Sequence, residues 1–224
     1  MTFSIIGHCP DTGMFGVAIS SSSPAVAARC AFARSGVGAV ATQNVTDPRL
    51  GPHALDLMAR GATAAEALSI LERGGADMAY RQVLAVGRSG ESAIYSGPNV
   101  LGLWSEAQAR DTAAAGNLLA DAGVAEVMVQ AFAASDGHLG ARLMGALRAG
   151  LDAGGEAGPV HSAGLLVVDR QSWPLVDLRI DWTEACPIAA LEDAWRVYAP
   201  QMDAYVTRAL SPGAAPSYGV PGDA

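Results

Sequence analysis

What narrows the fold most is how the strand-like and helix-like segments are grouped along the chain. Thr2 to His8 sets Phe3 and Ile5 beside Ser4 and Ile6, Pro10-Asp11-Thr12-Gly13 supplies a turn, and residues 14–20 resume as an apolar run. The chain is therefore predicted to open with a β-hairpin. After a loop at 20–24 and a short alanine-rich stretch, residues 36–43 read as another buried strand. Two helices follow. The first spans 52–60 with Leu55, Met58 and Ala59 on one face; Thr63 N-caps the second, Glu66 completes a capping box, and Gly74-Gly75 stops it. Strands return at 82–86 and 91–95 around an Arg88-Ser89-Gly90 turn, with a third expected at 107–113 in a β-meander. A second helix pair covers 124–134 and 139–153 and closes on Gly154-Gly155. Strands at 163–169 and 175–180 come next. A last helix starts at Pro187 and runs through Leu191, Trp195 and Tyr198.

Clusters of strands separated by pairs of helices give an α+β fold with antiparallel sheets, not a βαβ repeat. One domain over residues 1–210 is the simplest organisation, and the Ser-Pro-Gly-Ala-Ala-Pro stretch makes 211–224 an expected disordered tail.

Composition limits function. The chain has 224 residues, 50% of them hydrophobic and 16% charged, and a net charge of −8. No basic stripe is available to displace counterions from a phosphate backbone or to meet an anionic bilayer, so no nucleic-acid and no membrane partner is expected. The N-terminus lacks a charged leader region and no apolar run reaches membrane-spanning length, which leads to a cytoplasmic expectation. Three cysteines, far apart, suit neither a disulfide framework nor zinc; no metal and no cofactor is expected. The apolar composition and low charge fraction point to a homo-oligomer. All 14 basic residues are arginine, and the absence of lysine excludes Schiff-base and Ser-Lys mechanisms and the phosphate-loop lysine.

The pieces MTFSI, DTGxxGVA, GVGAVATQN, GPHALDLMARG and DLRID, with Arg81-Gln82-Val83, Trp104, Gly116-Asn117-Leu118-Leu119, LxARLMGALRAGLDAGG and Ser162-Ala163, fall in an order and spacing that resembles one bacterial family. It is the domain of unknown function 1028 family, and the resemblance runs from Met1 to about Leu191. That family is similar to the N-terminal-nucleophile (Ntn) hydrolases, which implies a four-layer αββα sandwich with two antiparallel sheets. It implies no substrate.

The resemblance places Thr2 in the nucleophile position once Met1 is removed. A threonine hydroxyl is a poor nucleophile, but a free α-amine with a pKa of about 7.7–8.0 can take its proton. Thr2 equally suits the start of an edge strand, where a β-branched residue is at home. The superfamily often uses a lysine beside its nucleophile; here Arg29, Arg34 and Arg179 are the positional candidates, able to supply a field but not to share a proton.

Other polar spots carry two readings each. Ser22, Gln43 and Asn117 stand at expected strand ends, where amides and hydroxyls can hold an oxyanion or simply complete turns. Asp177 and Arg179 share a strand face with Asp181, either lining a polar pocket or forming an in-strand ion pair on a solvated face. Where many family members carry Asp-Arg-Gly after the paired glycines, this chain has Glu156-Ala157-Gly158, which suggests a lost charged contact. His8 and Cys9 are strand neighbours and point to opposite faces, so they do not form a dyad. The leading expectation is a hydrolase of a small amide or peptide-like bond with a small-molecule substrate. The alternative is a non-catalytic member of the fold that binds a small ligand or serves as an oligomeric structural unit.

Overall fold

The first hairpin is also the centre of the molecule. In the computed structural model, which describes residues 1–220, β1 (Thr2–His8) pairs antiparallel with β2 (Phe15–Ser21), Phe3 opposite Ser20 and His8 opposite Phe15. All fourteen residues of this hairpin's strands are buried, which requires cover on both faces of the sheet. The alternation of side chains explains how one strand serves two cores. Phe3 and Ile5 enter a core with Met128, Phe132, Leu143 and Leu147, whereas Ile6 enters a second core with Val17, Ile19, Ala41, Leu84 and Val86.

A short helix, α1 (Val26–Cys30), leads directly into β3 (Ala31–Arg34), and β4 (Gly38–Asn44) returns beside it. The sequence reading missed β3 because four residues of Ala-Phe-Ala-Arg carry no period that separates strand from helix. Next come α2 (Leu50–Ala59) and α3 (Ala64–Gly74). Thr63 Oγ1 accepts from the Glu66 amide and the Glu66 carboxylate accepts from the Thr63 amide, so the capping box stands as expected. β5 (Arg81–Gly87) and β6 (Ser92–Ser96) then complete a four-stranded sheet in the order β3-β4-β5-β6.

The expected third strand of a meander at 107–113 is a correction. Two strands occupy the region, β7 (Ser105–Ala109) and β8 (Thr112–Asn117), turning at Asp111 with a φ of 66°. Both leave the β5–β6 sheet and join the other, where β8 closes on the open side of β1, with Thr2 opposite Asn117. Runs of alanine hide such a turn because they fit either face of a strand equally. The helices α4 (Val124–Ala133) and α5 (Leu139–Asp152) and the strands β9 (Ser162–Val168) and β10 (Val176–Ile180) match expectation closely. The larger sheet runs β10-β9-β2-β1-β8-β7. The last helix is α6 (Pro187–Tyr198); a 3-10 turn at Ala199–Gln201, containing Pro200, then sets α7 (Met202–Leu210) apart as a further element.

Three cores therefore separate four layers: α4 and α5 on the six-stranded sheet, that sheet on the four-stranded one, and α2 and α3 on the far side. The fold is an α+β αββα sandwich with two antiparallel sheets. Within the segment expected to be a disordered tail, Pro212–Ala214 form a 3-10 turn and Arg208 donates to the Pro216 and Ser217 carbonyls; residues 221–224 lie outside the described residues. Among the described residues no helix is long and apolar enough to cross a membrane.

Truncating a core side chain should cost far more than losing a cap. Leu147→Ala, at a fully buried position, is expected to lower stability by about 2–5 kcal/mol, and Thr63→Ala by about 1 kcal/mol. Urea unfolding of the two variants measures both.

Candidate functional site

One end of the space between the sheets is polar, although the rest of it is apolar. From β1, Thr2 and Ser4 project into the same layer as Ile6, joined by Ser21 at the end of β2, Gln43 on β4, Gln82 on β5 and Asn117 on β8. All six of these polar residues are buried, so their groups must find partners inside the protein. Ser4 Oγ donates to Gln43 Oε1 at 2.6 Å. The Gln43 amide nitrogen donates to Gln82 Oε1 at 2.8 Å and to the Ala115 carbonyl at 3.1 Å. Gln82 Oε1 also accepts from Asn117 Nδ2 at 3.3 Å, and Gln82 Nε2 donates to Ser96 Oγ at 3.1 Å. This chain of amides ties β1 and β8 of one sheet to β4, β5 and β6 of the other.

Thr2 lies beside that network at the mouth of the layer. Its hydroxyl is 3.2 Å from Ser21 Oγ and also donates to the Met1 carbonyl, which accepts from Ser21 Oγ at 2.5 Å. The edge-strand reading of Thr2 is overturned: β1 has β2 on one side and β8 on the other. Thr2, Ser21, Ser23, Val26, Arg29, Cys30, Asn44 and Thr46, with Met1 and Pro48, line a cavity of about 260 Å³. Burial pushes the Cys30 thiol above its usual range.

Strained backbone gathers at the same end. Five non-glycine residues among those described have a positive φ, and three of them, Ala25, Asn44 and Leu118, stand within two residues of Ser23, Gln43 or Asn117. Each carries a cost of about 1–2 kcal/mol in a side-chain-bearing residue. The surroundings hold them: the Ala25 amide donates to the Asp181 carbonyl at 2.8 Å, and Asn44 Nδ2 donates to the Tyr80 carbonyl at 2.6 Å.

The residue that sequence reasoning missed is Glu156. Gly154 and Gly155, with φ of 119° and 56°, turn the chain after α5 so that Glu156 bridges to Leu119 and its side chain is buried. Both carboxylate oxygens accept from the Ser22 amide at 3.2 Å. Burial raises the Glu156 carboxyl to about 7, opposed by the N-terminal amine, the Ser22 amide and His161. At the departure from Asp-Arg-Gly the chain holds a buried carboxylate near the amine of Met1. The paired glycines were the available signal, because they mark a sharp return of chain toward β1.

The other sequence candidates separate. Ser22 reaches Glu156 through its backbone amide rather than its hydroxyl. Gln43 and Asn117 share the layer with Thr2, but their amides are committed to Gln82. Asp177 and Arg179 pair with one another at 2.7 Å and 2.8 Å on β10, an edge strand separated from β1 by β9 and β2, so they lie apart from Thr2. Of the three arginines weighed as lysine substitutes, Arg34 pairs with Asp56, Arg179 with Asp177, and Arg29 alone lines the Thr2 cavity. His8 pairs with Asp111 at 2.7 Å and stacks on Phe15, away from any cysteine partnership. Among the described residues no group of three or more His, Cys, Asp or Glu side chains could hold a metal ion.

Residues 2–191 match the model of a family described as "Family of unknown function (DUF1028)". The chain belongs to this family. A crystal structure of a DUF1028 protein from Silicibacter pomeroyi is 30% identical, with a TM-score of 0.82 over 88% of this chain and 89% of that one. The ancestral beta-subunit Anbu from Yersinia bercovieri is 11% identical with a TM-score of 0.41, over 91% of this chain and 97% of that one. No curated protein matches. In this DUF1028 chain the match begins at Thr2, the first residue of the central strand.

A carboxyl that binds its proton more tightly in the folded state stabilises the fold fully below its unfolded pKa and loses that contribution as pH rises through its folded one. For Glu156 the window runs from about 4.5 to about 7. Wild type should therefore lose stability relative to Glu156→Gln across that window in urea unfolding, and parallel pH curves would show the carboxyl to be relaxed.

Proposed function

We propose that this DUF1028 chain is an Ntn-type amidohydrolase that cleaves a small amide or peptide-like bond, with Thr2 as nucleophile and its own α-amine as base once Met1 is removed. The observation that carries this reading is a buried hydroxyl at the N-terminal end of a central strand, lining a small cavity and 3.2 Å from a second hydroxyl, Ser21. Thr2 Oγ1 forms the bond to the substrate carbonyl carbon while its proton passes to the α-amine. Collapse of the tetrahedral species breaks the carbon–nitrogen bond, and the ammonium returns the proton to the leaving amine. Water then attacks the Thr2 ester, giving its proton to the amine, and the acid leaves as Thr2 recovers its hydroxyl hydrogen.

The surrounding groups have assigned parts in this proposal. Ser21 orients the Thr2 hydroxyl, and Glu156, which feels the Met1 amine before that residue is removed, supplies a carboxylate for the amine exposed at Thr2. Ser22, Gln43 and Asn117 supply fixed dipoles at the end of the layer where negative charge develops. A cavity of about 260 Å³ with Met1 still in its wall, widened by the loss of that residue, supports a small substrate, since ligand sites commonly begin at about 300 Å³.

A second reading, a non-catalytic ligand-binding or structural member of the fold, is favoured by one feature. Met1 fits its place, because its carbonyl accepts from both Thr2 and Ser21 hydroxyls. Intact mass of the protein purified from its host separates the two readings: loss of Met1 is expected. With a small-amide panel, Thr2→Ala should then lower turnover by about a thousandfold or more, while Thr2→Ser retains activity. Unchanged turnover in Thr2→Ala sinks the nucleophile assignment. We also propose a cytoplasmic homo-oligomer, on composition; light scattering that returns a monomer would remove the second half of that statement.

A further inference from the structure

The Thr2 cavity has one charged side chain in its wall. Arg29 lies in the last turn of α1, where a cation would ordinarily face the closing carbonyls of its helix. Its head folds the other way: Nη1 donates to the carbonyls of Pro24 and Ala25, ahead of the helix. Those two bonds anchor Nη1 and use only part of the guanidinium's five N–H groups. Among the described residues Arg29 makes no ion pair, although Arg34, Arg49, Arg148, Arg179 and Arg196 each pair with a carboxylate.

The other side chains of the wall are uncharged, and the second positive group at this end is the backbone amine of Met1. Hydroxyls of Thr2, Ser21, Ser23 and Thr46, the Asn44 amide and the Cys30 thiol complete it, and no carboxylate contributes. Asp47, next to Thr46, is engaged by Arg49, which holds its carboxyl down at about 2. Glu156 accepts from Ser22 and is not part of the wall. A chain of net charge −8 thus presents a cationic side chain, without a carboxylate beside it, to a polar cavity with room for about nine waters at ~30 Å³ each. A guanidinium with N–H groups to spare favours a two-oxygen anion, which it can grip with two parallel hydrogen bonds.

We propose that Arg29 is the specificity residue of this cavity and that the small molecule it accepts carries a carboxylate. This names a substrate class for the proposed hydrolase and rests on that reading for the reaction, but the binding preference itself requires neither Met1 removal nor turnover. The substrate is then a small amide with a free carboxylate, the anion held at Arg29 and the amide carbonyl directed to Thr2.

N-acetylglycine and N-acetylglycinamide, equal in size and differing in charge, serve as probes. Ligand-observed NMR titration of the full chain, as wild type and as Thr2→Ala, is expected to give the carboxylate about tenfold tighter binding than the amide. Arg29→Met, which keeps an apolar stem, should bring the ratio near one, and Arg29→Lys should keep part of it. Because each protein is read by the ratio of two probes, a general loss of structure, which weakens both, does not imitate the result. Equal binding by wild type, binding of neither probe, or an undiminished ratio in Arg29→Met overturns the proposal. Turnover lost in Thr2→Ala with the ratio intact separates the nucleophile's role from that of Arg29.

Discussion

The stacking of the two antiparallel sheets is the constraint on which the rest of the structure depends. It buries β1 and β2 on both faces, so every side chain of the first hairpin has to belong to one core or the other. Where the interlayer is lined by Ile6, Val17, Ile19, Leu84 and Val86, this is ordinary apolar packing. At the Thr2 end the same geometry traps hydroxyls and amides, and burial makes each of them need a partner. The Ser4–Gln43–Gln82–Asn117 chain answers that need and fastens the two sheets together. A polar network so completely engaged is rigid, which suits the wall of a site better than mobile side chains would.

Around that rigid end the chain collects its strained turns. Ala25, Asn44 and Leu118 adopt left-handed conformations at three loops that converge there, each held by a backbone or amide hydrogen bond from elsewhere in the fold. Two ionisable side chains stand at this end of the molecule. Glu156 stands close to the chain's amine, while Arg29 lines the cavity in which Thr2 sits. Among the described residues neither forms a salt bridge with another side chain. Ionisable groups held this way are costly in a fold and useful at a site that must bind one group and orient another.

Much of the fold was legible because its signals are local. The capping box at Thr63 and Glu66, the helix pairs and the opening hairpin each follow from periods and turn residues a few positions apart. The failures share a physical origin. Alanine fits strand and helix alike, so β3 and the β7–β8 division could not be read from Ala-Phe-Ala-Arg or from 107–115. The site was partly visible. Thr2, Gln43 and Asn117 do meet at one end of the interlayer, whereas the adjacent charges Asp177 and Arg179, at the most suggestive spacing, satisfy one another on an edge strand. Glu156 gives no local signal because its partners, the Ser22 amide and the amine of Met1, are more than a hundred residues away in sequence.

By itself the sequence determined the class of fold, the absence of any lysine-dependent chemistry and the family, since these rest on periodicity, composition and ordered short motifs. Only the tertiary structure decided that β1 is central rather than at an edge, because that depends on β8 arriving from another part of the chain. It alone decided which of the arginines lines the Thr2 cavity, and that a buried carboxylate stands near the amine. Contacts of this kind follow from how layers stack, and stacking brings together residues whose separation along the chain carries no local signal.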